Sequence, residues 1–437
     1  MSESKIDLLK KTEHFILHDE LLKKYQYLFL SNINDFVNGL QLRYNGQNNH
    51  INMLYLKIVM SYNFIADLLL KGILIKKNNK SHSPVDYAFI YDTSSHYQIL
   101  ENIYNHFSEN SSTLLISPIT GKNRLIESIF IRRDMYVDSY ISWKGIIKSI
   151  KLFVSLIKDF NNIFFKLFNF FSNSFYPDFR NYKDLFIKVS FSIRYSFAVR
   201  NFLEEFKPKF IFQASDACFR SSLIVFYSKN PKILVQHGLV ANPIQYYTKS
   251  NYFFYWSKYE LQKLYKNKNT TYNLIGYPKR EELFNNIKYN KESKNALFIL
   301  TGTKDKEYYD KVFYVKEELE HNDITVFIKP HPLYCEKKLM EVSHLYDDNN
   351  NYRIVISFNS SLGIELAIRG YPVLFVSCSS EKNIIPELHY DQIENVLTNN
   401  LLLTDYLAEC SSKLEEIFPI KFQESIKVIE EIINNIR

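Results

Sequence analysis

At 437 residues the chain exceeds what one hydrophobic core supports, roughly 250–300 residues, and is long enough for two domains. Its 46% hydrophobic and 23% charged residues exclude a disordered chain. The net charge of +7 is spread along the sequence without a block of like charge. That excludes a nucleic-acid arm and suits anionic small molecules or an anionic membrane face.

Residues 1–80 read as a helical N-terminal region, with apolar residues recurring at three- and four-residue steps. The opening MSESKIDLLKK is too polar for a signal peptide, and no run of about 18 uncharged apolar residues occurs. A cytoplasmic location without a spanning helix is therefore expected. From residue 81 the texture changes. VDYAFIYDT reads as a buried strand, SHYQILENIYNHF as a helix and STLLISPI as a second strand, an alternation that implies parallel pairing. Residues 139–200 interrupt it with a long aromatic helical insertion. The alternation resumes with the strand PKFIFQASD, the helix ACFRSSLIVFYSKN and the strand KILVQHG. The strand YFFYWS and the helix KYELQKLYKN then lead to the close of a first α/β domain over 81–280. Residues 281–294, polar and rich in Asn and Lys, are the expected linker.

A second alternating unit is expected over 295–400. Its strands are NALFILTG, DITVFIKPHP, YRIVISFNSS and YPVLFVSC, and its helices KEYYDKVFYVKEELEHN, EKKLMEVSHLY and LGIELAIRG. Residues 401–437 read as C-terminal helices. The expected fold class is α/β: two Rossmann-like domains facing a cleft, with a helical N-terminal region and a helical insertion.

The residues suited to chemistry fall at the carboxyl ends of predicted strands, where open parallel sheets bind ligands. In KPHP, Lys329 and His331 can both donate to an anion, and Pro332 stiffens the exit. Ser360 and Ser361 stand where a strand turns into a helix, an anion-binding arrangement or equally an N-cap pair. Glu365, one turn on, is placed to reach ribose hydroxyls. Gly302 and Thr303 lie in the turn after that domain's first strand, where a glycine admits close backbone approach. In the first domain, QASD places Ser215 and Asp216 at one strand end, and QHG places His237 and Gly238 at the next. Neighbouring strands would bring Asp216 and His237 together as base or nucleophile and its partner, or as a helix cap and a buried histidine. Cys218, Cys335, Cys378 and Cys410 form no C-x-x-C pair and have no histidine at metal spacing, so free thiols are expected and no metal.

Together, Q-H-G, K-P-H-P and S-S-x-G-x-E-x-A-x-x-G-x-P over about 208–376 resemble bacterial capsule and lipopolysaccharide transferases of the GT-B class. That group includes sialyl-, polysialyl- and Kdo transferases and the CDP-glycerol glycerophosphotransferases. The resemblance implies no cofactor beyond a nucleotide-sugar donor. His331, Ser360 and Ser361 would hold its phosphate and Glu365 its ribose. Ser215-Asp216, about twenty residues before Q-H-G, resembles the pair of retaining Kdo transferases in which the Asp is nucleophile. The D/E-D/E-G motif of many sialyltransferases is absent, and Asp347-Asp348 is followed by Asn349. No D-x-D occurs, which disfavours a metal-dependent GT-A enzyme. The expected reaction is transfer of Kdo or a related nonulosonic acid from a CMP-linked donor to a glycan acceptor, itself expected to be lipid-linked. The alternatives are a CDP-glycerol-type glycerophosphotransferase and a non-catalytic polysaccharide-binding subunit. UDP-sugar 2-epimerases share the architecture.

The insertion carries one further pattern. At 100° per residue, Lys144, Lys148, Lys151, Lys158 and Lys166 fall within about 80° of one another on a helix, with Trp143, Ile146, Ile147, Phe153, Ile157, Phe164 and Phe165 on the remaining surface. Two readings stay open: an interfacial helix on the inner face of an anionic membrane, or a solvated face whose apolar side packs on its own domain.

Overall fold

The computed structural model describes residues 5–40, 52–72, 83–117, 136–172, 179–215, 219–237, 248–278, 287–303, 305–330, 335–347, 349–358, 360–377, 385–420 and 422–436. The chain forms two compact units, residues 1–256, 260–279 and 429–437 in the first and 257–259 and 280–428 in the second. No helix among the described residues is long and apolar enough to cross a membrane.

The first unit contains six strands: β1 (Tyr87–Ile90), β2 (Thr113–Ile116), β3 (Phe210–Gln213), β4 (Lys232–Val235), β5 (Tyr252–Tyr255) and β6 (Thr271–Leu274). Every pairing is parallel, in the order β2-β1-β3-β4-β5-β6. The strands read as short apolar runs because helices cover both faces of such sheets; all four residues of β1 and of β3 are buried. The order reverses direction between β1 and β3, and a doubly wound sheet opens its ligand crevice at that point.

The helical sequence at the N-terminus and the helical insertion share one core. Helices Lys5–His18, Glu20–Lys24, Gln26–Leu30, Ile33–Gly39 and Met53–Gly72 pack with Trp143–Ser172 and Phe179–Phe206. Aromatic faces mesh across the junction: Phe64 stacks on Phe153 at 4.1 Å, and Phe36 meets Phe171 and Tyr182. A buried ion triad ties the same pieces. The Arg194 guanidinium donates from Nε to Asp67 at 2.5 Å and from a terminal nitrogen to Asp138. Burial alone would weaken its charge, but the carboxylates of Asp138 and Asp67 outweigh this and raise its pKa. The last residues of the helix Phe422–Ile436 also belong to this unit, with Glu430 3.1 Å from His106.

The second unit holds β7 (Lys288–Tyr289), β8 (Asn295–Leu300), β9 (Thr325–Lys329), β10 (His344–Leu345), β11 (Asn351–Tyr352), β12 (Ile354–Phe358) and β13 (Val373–Val376). Five of them form a parallel sheet in the order β10-β9-β8-β12-β13, and β7 pairs with β11. The polar residues 288–289 are thus part of a strand pair. The sequence EKKLMEVSHLY differs from expectation. Its helix spans only Lys337–Glu341, and His344–Leu345 pairs in parallel with β9. β-branched and aromatic neighbours in the sheet override helical spacing there. This order also reverses once, between β8 and β12. Each unit therefore carries a doubly wound parallel sheet of Rossmann type, as the GT-B class has.

Candidate functional site

In the first unit, the exits of β1, β3 and β4 converge on a polar cluster built from buried side chains. Gln213, the last residue of β3, is fully buried and donates to the Ser221 carbonyl at 3.2 Å. The Ser221 hydroxyl donates to Asp92, two residues past β1. Gln236, just past β4, accepts from the Trp256 amide at 2.9 Å and donates to buried Glu260 at 3.1 Å, so the first residue of Q-H-G clamps β4 to the exit of β5. His237 follows with its ring turned toward β3, its Nδ1 2.5 Å from the Ala214 carbonyl. A carbonyl only accepts, so Nδ1 carries the proton, and the neutral ring presents its lone pair at Nε2. Part of the residue stays open to solvent, yet packing around the ring lowers its pKa and the Ala214 bond recovers only part of that. The arrangement is a neutral imidazole with a fixed tautomer, as a general base needs.

The sequence reading missed His96. It lies in the first turn of the helix Ser94–Ser108, which Thr93 caps by accepting from the His96 amide at 3.3 Å. The residue is 7% exposed, and its Nδ1 has no hydrogen-bond partner among the described residues. Its ring stands edge-on to His237 at 4.4 Å. Burial, with the His237 charge second, pushes its pKa down to about 3. Both rings are therefore neutral at physiological pH. Nothing in SHYQILENI marks this histidine; only β1 lying beside β3 brings it to His237. Ser215 is partly exposed at the exit of β3, whereas Asp216 and Gly238 lie outside the described residues.

In the second unit, the exits of β8 and β12 flank the reversal of strand order. Thr301, Gly302 and Thr303 turn tightly after β8, with the Thr303 amide 3.0 Å from the Thr301 carbonyl. The Thr303 hydroxyl accepts from the Asp305 amide at 3.1 Å, and Asp305 caps the helix Lys306–His321 through the Glu307 amide at 3.0 Å. Thr303 thus shapes the turn, while Gly302 is its exposed tip. The Tyr308 hydroxyl, also missed from sequence, accepts from the Thr301 amide at 2.9 Å and donates to the Phe358 carbonyl at 3.2 Å. One buried phenol therefore locks the two strand exits together.

The S-S-x-G-x-E-x-A-x-x-G-x-P segment has a steric explanation. Ser360 takes the N-cap position of the helix Ser361–Ile368, but its side chain makes no cap bond. Its partly exposed hydroxyl is not spent on the helix, unlike an ordinary capping serine. A Cβ on Gly363 would stand 2.1 Å from the Ser357 hydroxyl oxygen and 2.3 Å from the Ser357 Cβ. Only glycine lets this helix lie so close on β12. Gly370, at φ +85°, ends it in a Schellman motif: its amide bonds to Ala367 at 2.9 Å and the Tyr371 amide to Leu366 at 3.2 Å. Pro372 then opens β13. Glu365 is buried. Lys329 ends β9 with its ammonium 4.0 Å from the Tyr346 ring centre, a cation–π contact. Ser361 heads the helix, its backbone described and its side chain not, and His331 lies outside the described residues. The arrangement offers a helix N-terminus, hydroxyls and a glycine turn at the switch point of a Rossmann-type sheet, which suits a phosphate.

No protein-family model matches the sequence, and no curated protein matches it. Among solved structures, UDP-GlcNAc 2-epimerase from Neisseria meningitidis bound to UDP-GlcNAc is similar at 13% identity and a TM-score of 0.48, over 81% of this chain and 100% of that one. MurG from Acinetobacter baumannii is similar at 10% identity and a TM-score of 0.41, over 79% and 99% of the two chains. Alr3699/HepE from Anabaena in complex with UDP-glucose is similar at 8% identity and a TM-score of 0.44, over 80% and 99%. At such identities and scores the fold rests on the strand order described above.

Proposed function

We propose that the protein is a glycosyltransferase of bacterial surface-polysaccharide synthesis, taking a nucleotide-activated sugar as donor. The observation that carries this reading is the switch point of the second sheet. There a Ser360 hydroxyl that makes no cap bond, a helix N-terminus and the Thr301–Thr303 turn lie at strand exits tied together by Tyr308. His331 and Lys329, from the next strand end, add donors for the diphosphate or phosphodiester of the donor. Ser361 shares the phosphate and Glu365 the ribose side.

The donor we propose is CMP-linked Kdo or a related nonulosonic acid, with no metal. In a double displacement, the Asp216 carboxylate attacks the anomeric carbon. The bond from that carbon to the phosphate oxygen breaks, and the nucleotide leaves as its monophosphate. His237 Nε2 then takes the proton of an acceptor hydroxyl, whose oxygen displaces Asp216. Ser215, at the exit of β3, and Gly238, next in sequence to His237, are proposed to help bind the donor. The proposed acceptor is a lipid-linked glycan at the inner face of the inner membrane. The neutral, tautomer-fixed ring of His237 supports the base role.

The test is a thermal-shift panel of CMP-Kdo, CMP-sialate, CDP-glycerol and UDP-sugars, followed by titration calorimetry with the best binder. CMP-Kdo should raise the melting temperature most, and His331→Ala should weaken its binding while leaving the fold intact. Unchanged affinity in that variant removes the donor-site assignment. Asp216→Asn should abolish transfer; near-normal turnover would instead favour glycerophosphate transfer, which needs the base but no carboxylate nucleophile. A UDP-sugar epimerised without any acceptor would overturn the transferase reading.

A further inference from the structure

The helix Trp143–Ser172 buries only one side. Ile146, Leu156, Phe160, Ile163, Phe164 and Leu167 face the helical core, while Trp143, Ile147, Ile150 and Val154 are exposed, Trp143 at 69%. At 100° per residue these four exposed side chains fall within about 60° of one another. Lys144, Lys148, Lys151 and Lys158 form the adjoining arc, and none makes a salt bridge to a carboxylate among the described residues, Lys158 acting on Asp159 only through its charge. Lys166 leaves the stripe expected from sequence, since Asp19 pairs with it. Asp159, the one carboxylate of this helix, is taken up by Lys24 and Tyr25.

The neighbouring helix Met53–Gly72 shows the same imbalance. Leu54, Ile58, Tyr62, Ile65 and Leu69 recur within about 80° of one another at 100° per residue. All are exposed, Leu54 at 68%, Tyr62 at 71% and Leu69 at 70%. Its only carboxylate, Asp67, is buried against Arg194. The two helices run antiparallel, with Phe64 on Phe153 and Leu68 beside the cluster that holds Ile146. Ile65 and Leu69 are thereby level with Ile150 and Ile147.

We propose that these two exposed apolar arcs, with their border of Lys144, Lys148, Lys151 and Lys158, are the surface by which the protein docks on an anionic lipid bilayer. Aliphatic and aromatic side chains enter the boundary between headgroups and acyl chains, and the lysines meet the anionic headgroups. Trp143 is the type of residue that settles at that depth. Charge complementarity selects this occupant over a second copy, because a twofold contact would set the lysine arc against itself. The proposal gives the membrane contact suggested above a location, yet it uses none of the nucleotide-site residues, so the two readings fail separately.

Flotation of the full chain with phosphatidylglycerol-containing vesicles tests it, alongside phosphatidylcholine vesicles and high salt. Wild type should float with the anionic vesicles at low salt and release as salt screens the lysines. Lys144→Glu/Lys148→Glu/Lys151→Glu should lose about a hundredfold in vesicle partition, the scale of three interfacial lysines. Ile147→Ser/Ile150→Ser on one helix and Ile58→Ser/Ile65→Ser on the other should each weaken flotation. Circular dichroism and nucleotide thermal shift should be unchanged in every variant. Wild type remaining in the soluble fraction, or the charge-reversed variant floating like wild type, would overturn the proposal. So would a concentration-dependent dimer, seen by sedimentation and lost in the serine variants, with no flotation.

Discussion

The two units prepare the ends of their strands by different means. In the first, the strand exits carry charged and titratable groups packed into the interior, Gln236 clamped by Glu260 and His96 edge-on to His237, and the helical core beside the sheet buries a further charge, Arg194 between two aspartates. In the second, the exits carry hydroxyls, backbone amides and glycine, held by one tyrosine. On the proposed function the first unit moves protons, and a site that does so must enclose groups whose charge the protein controls. A site that cradles a phosphate needs space and exposed backbone donors. The first unit should therefore be sensitive to charge and pH, and the second to added volume.

Four measurements break or sharpen that contrast. Arg194→Met strands the buried carboxylates of Asp67 and Asp138 and should cost about 3–5 kcal/mol. Both tryptophans, Trp143 and Trp256, belong to the first unit, so tryptophan fluorescence in urea follows this loss directly. Adding Asp67→Asn and Asp138→Asn should recover part of it. Gly363→Ala forces the helix Ser361–Ile368 off β12 and should cost about 1–3 kcal/mol. Circular dichroism should report a weakened second unit while the tryptophan transition stays put, and Ser357→Gly in the same chain should restore stability. If instead the tryptophan transition moves, the units do not unfold separately.

The third measurement is pH. His96 is held neutral, with its pKa pushed down to about 3 from an ordinary 6.5. Between those values the unfolded chain binds the extra proton. The stability His96 contributes is then complete above pH 6.5 and is lost as the pH falls toward 3, at up to about 1.4 kcal/mol per pH unit. His96→Phe should flatten the acid limb of the tryptophan transition. An unchanged slope would mean that the ring is not held neutral. The smallest effect belongs to Tyr308→Phe, which removes the phenol between Thr301 and Phe358 and should cost about 1 kcal/mol. Calorimetry should show weaker nucleotide binding in this variant, because the two strand exits lose their common tie.

Much of this was legible from sequence because buried parallel strands are short apolar runs with polar exits. PKFIFQASD, KILVQHG, NALFILTG and YRIVISFNSS each contain the strand expected of them, and their exits carry the polar groups singled out. Strand order was not legible. The likeness of β1 to any other apolar run hid its place beside β3, and with it the meeting of His96 and His237. The aromatic faces of the N-terminal helices and of the insertion announced burial but not each other, since a hydrophobic stripe specifies no partner. Gly363 stood in a quoted motif, yet its contact with Ser357 exists only once helix and strand are packed. Asp216, His331 and Gly238 lie outside the described residues, so their roles remain with the substitutions proposed for Asp216 and His331.

The Arg194 triad also has a history in time. Asp67 and Arg194 are 127 positions apart, and Asp138 lies 56 before Arg194. At a synthesis rate of about 5–20 residues per second, Arg194 leaves the ribosome roughly 6–25 seconds after Asp67. During that interval the helix Met53–Gly72 has a carboxylate in the middle of its inward face and no guanidinium to meet it. The core of the N-terminal helices is complete only once the helix Phe179–Phe206 supplies Tyr182, Leu185, Phe186, Val189 and Ile193. Until then the apolar residues that the helices before it bring to this core lack the part of their packing that Phe179–Phe206 provides.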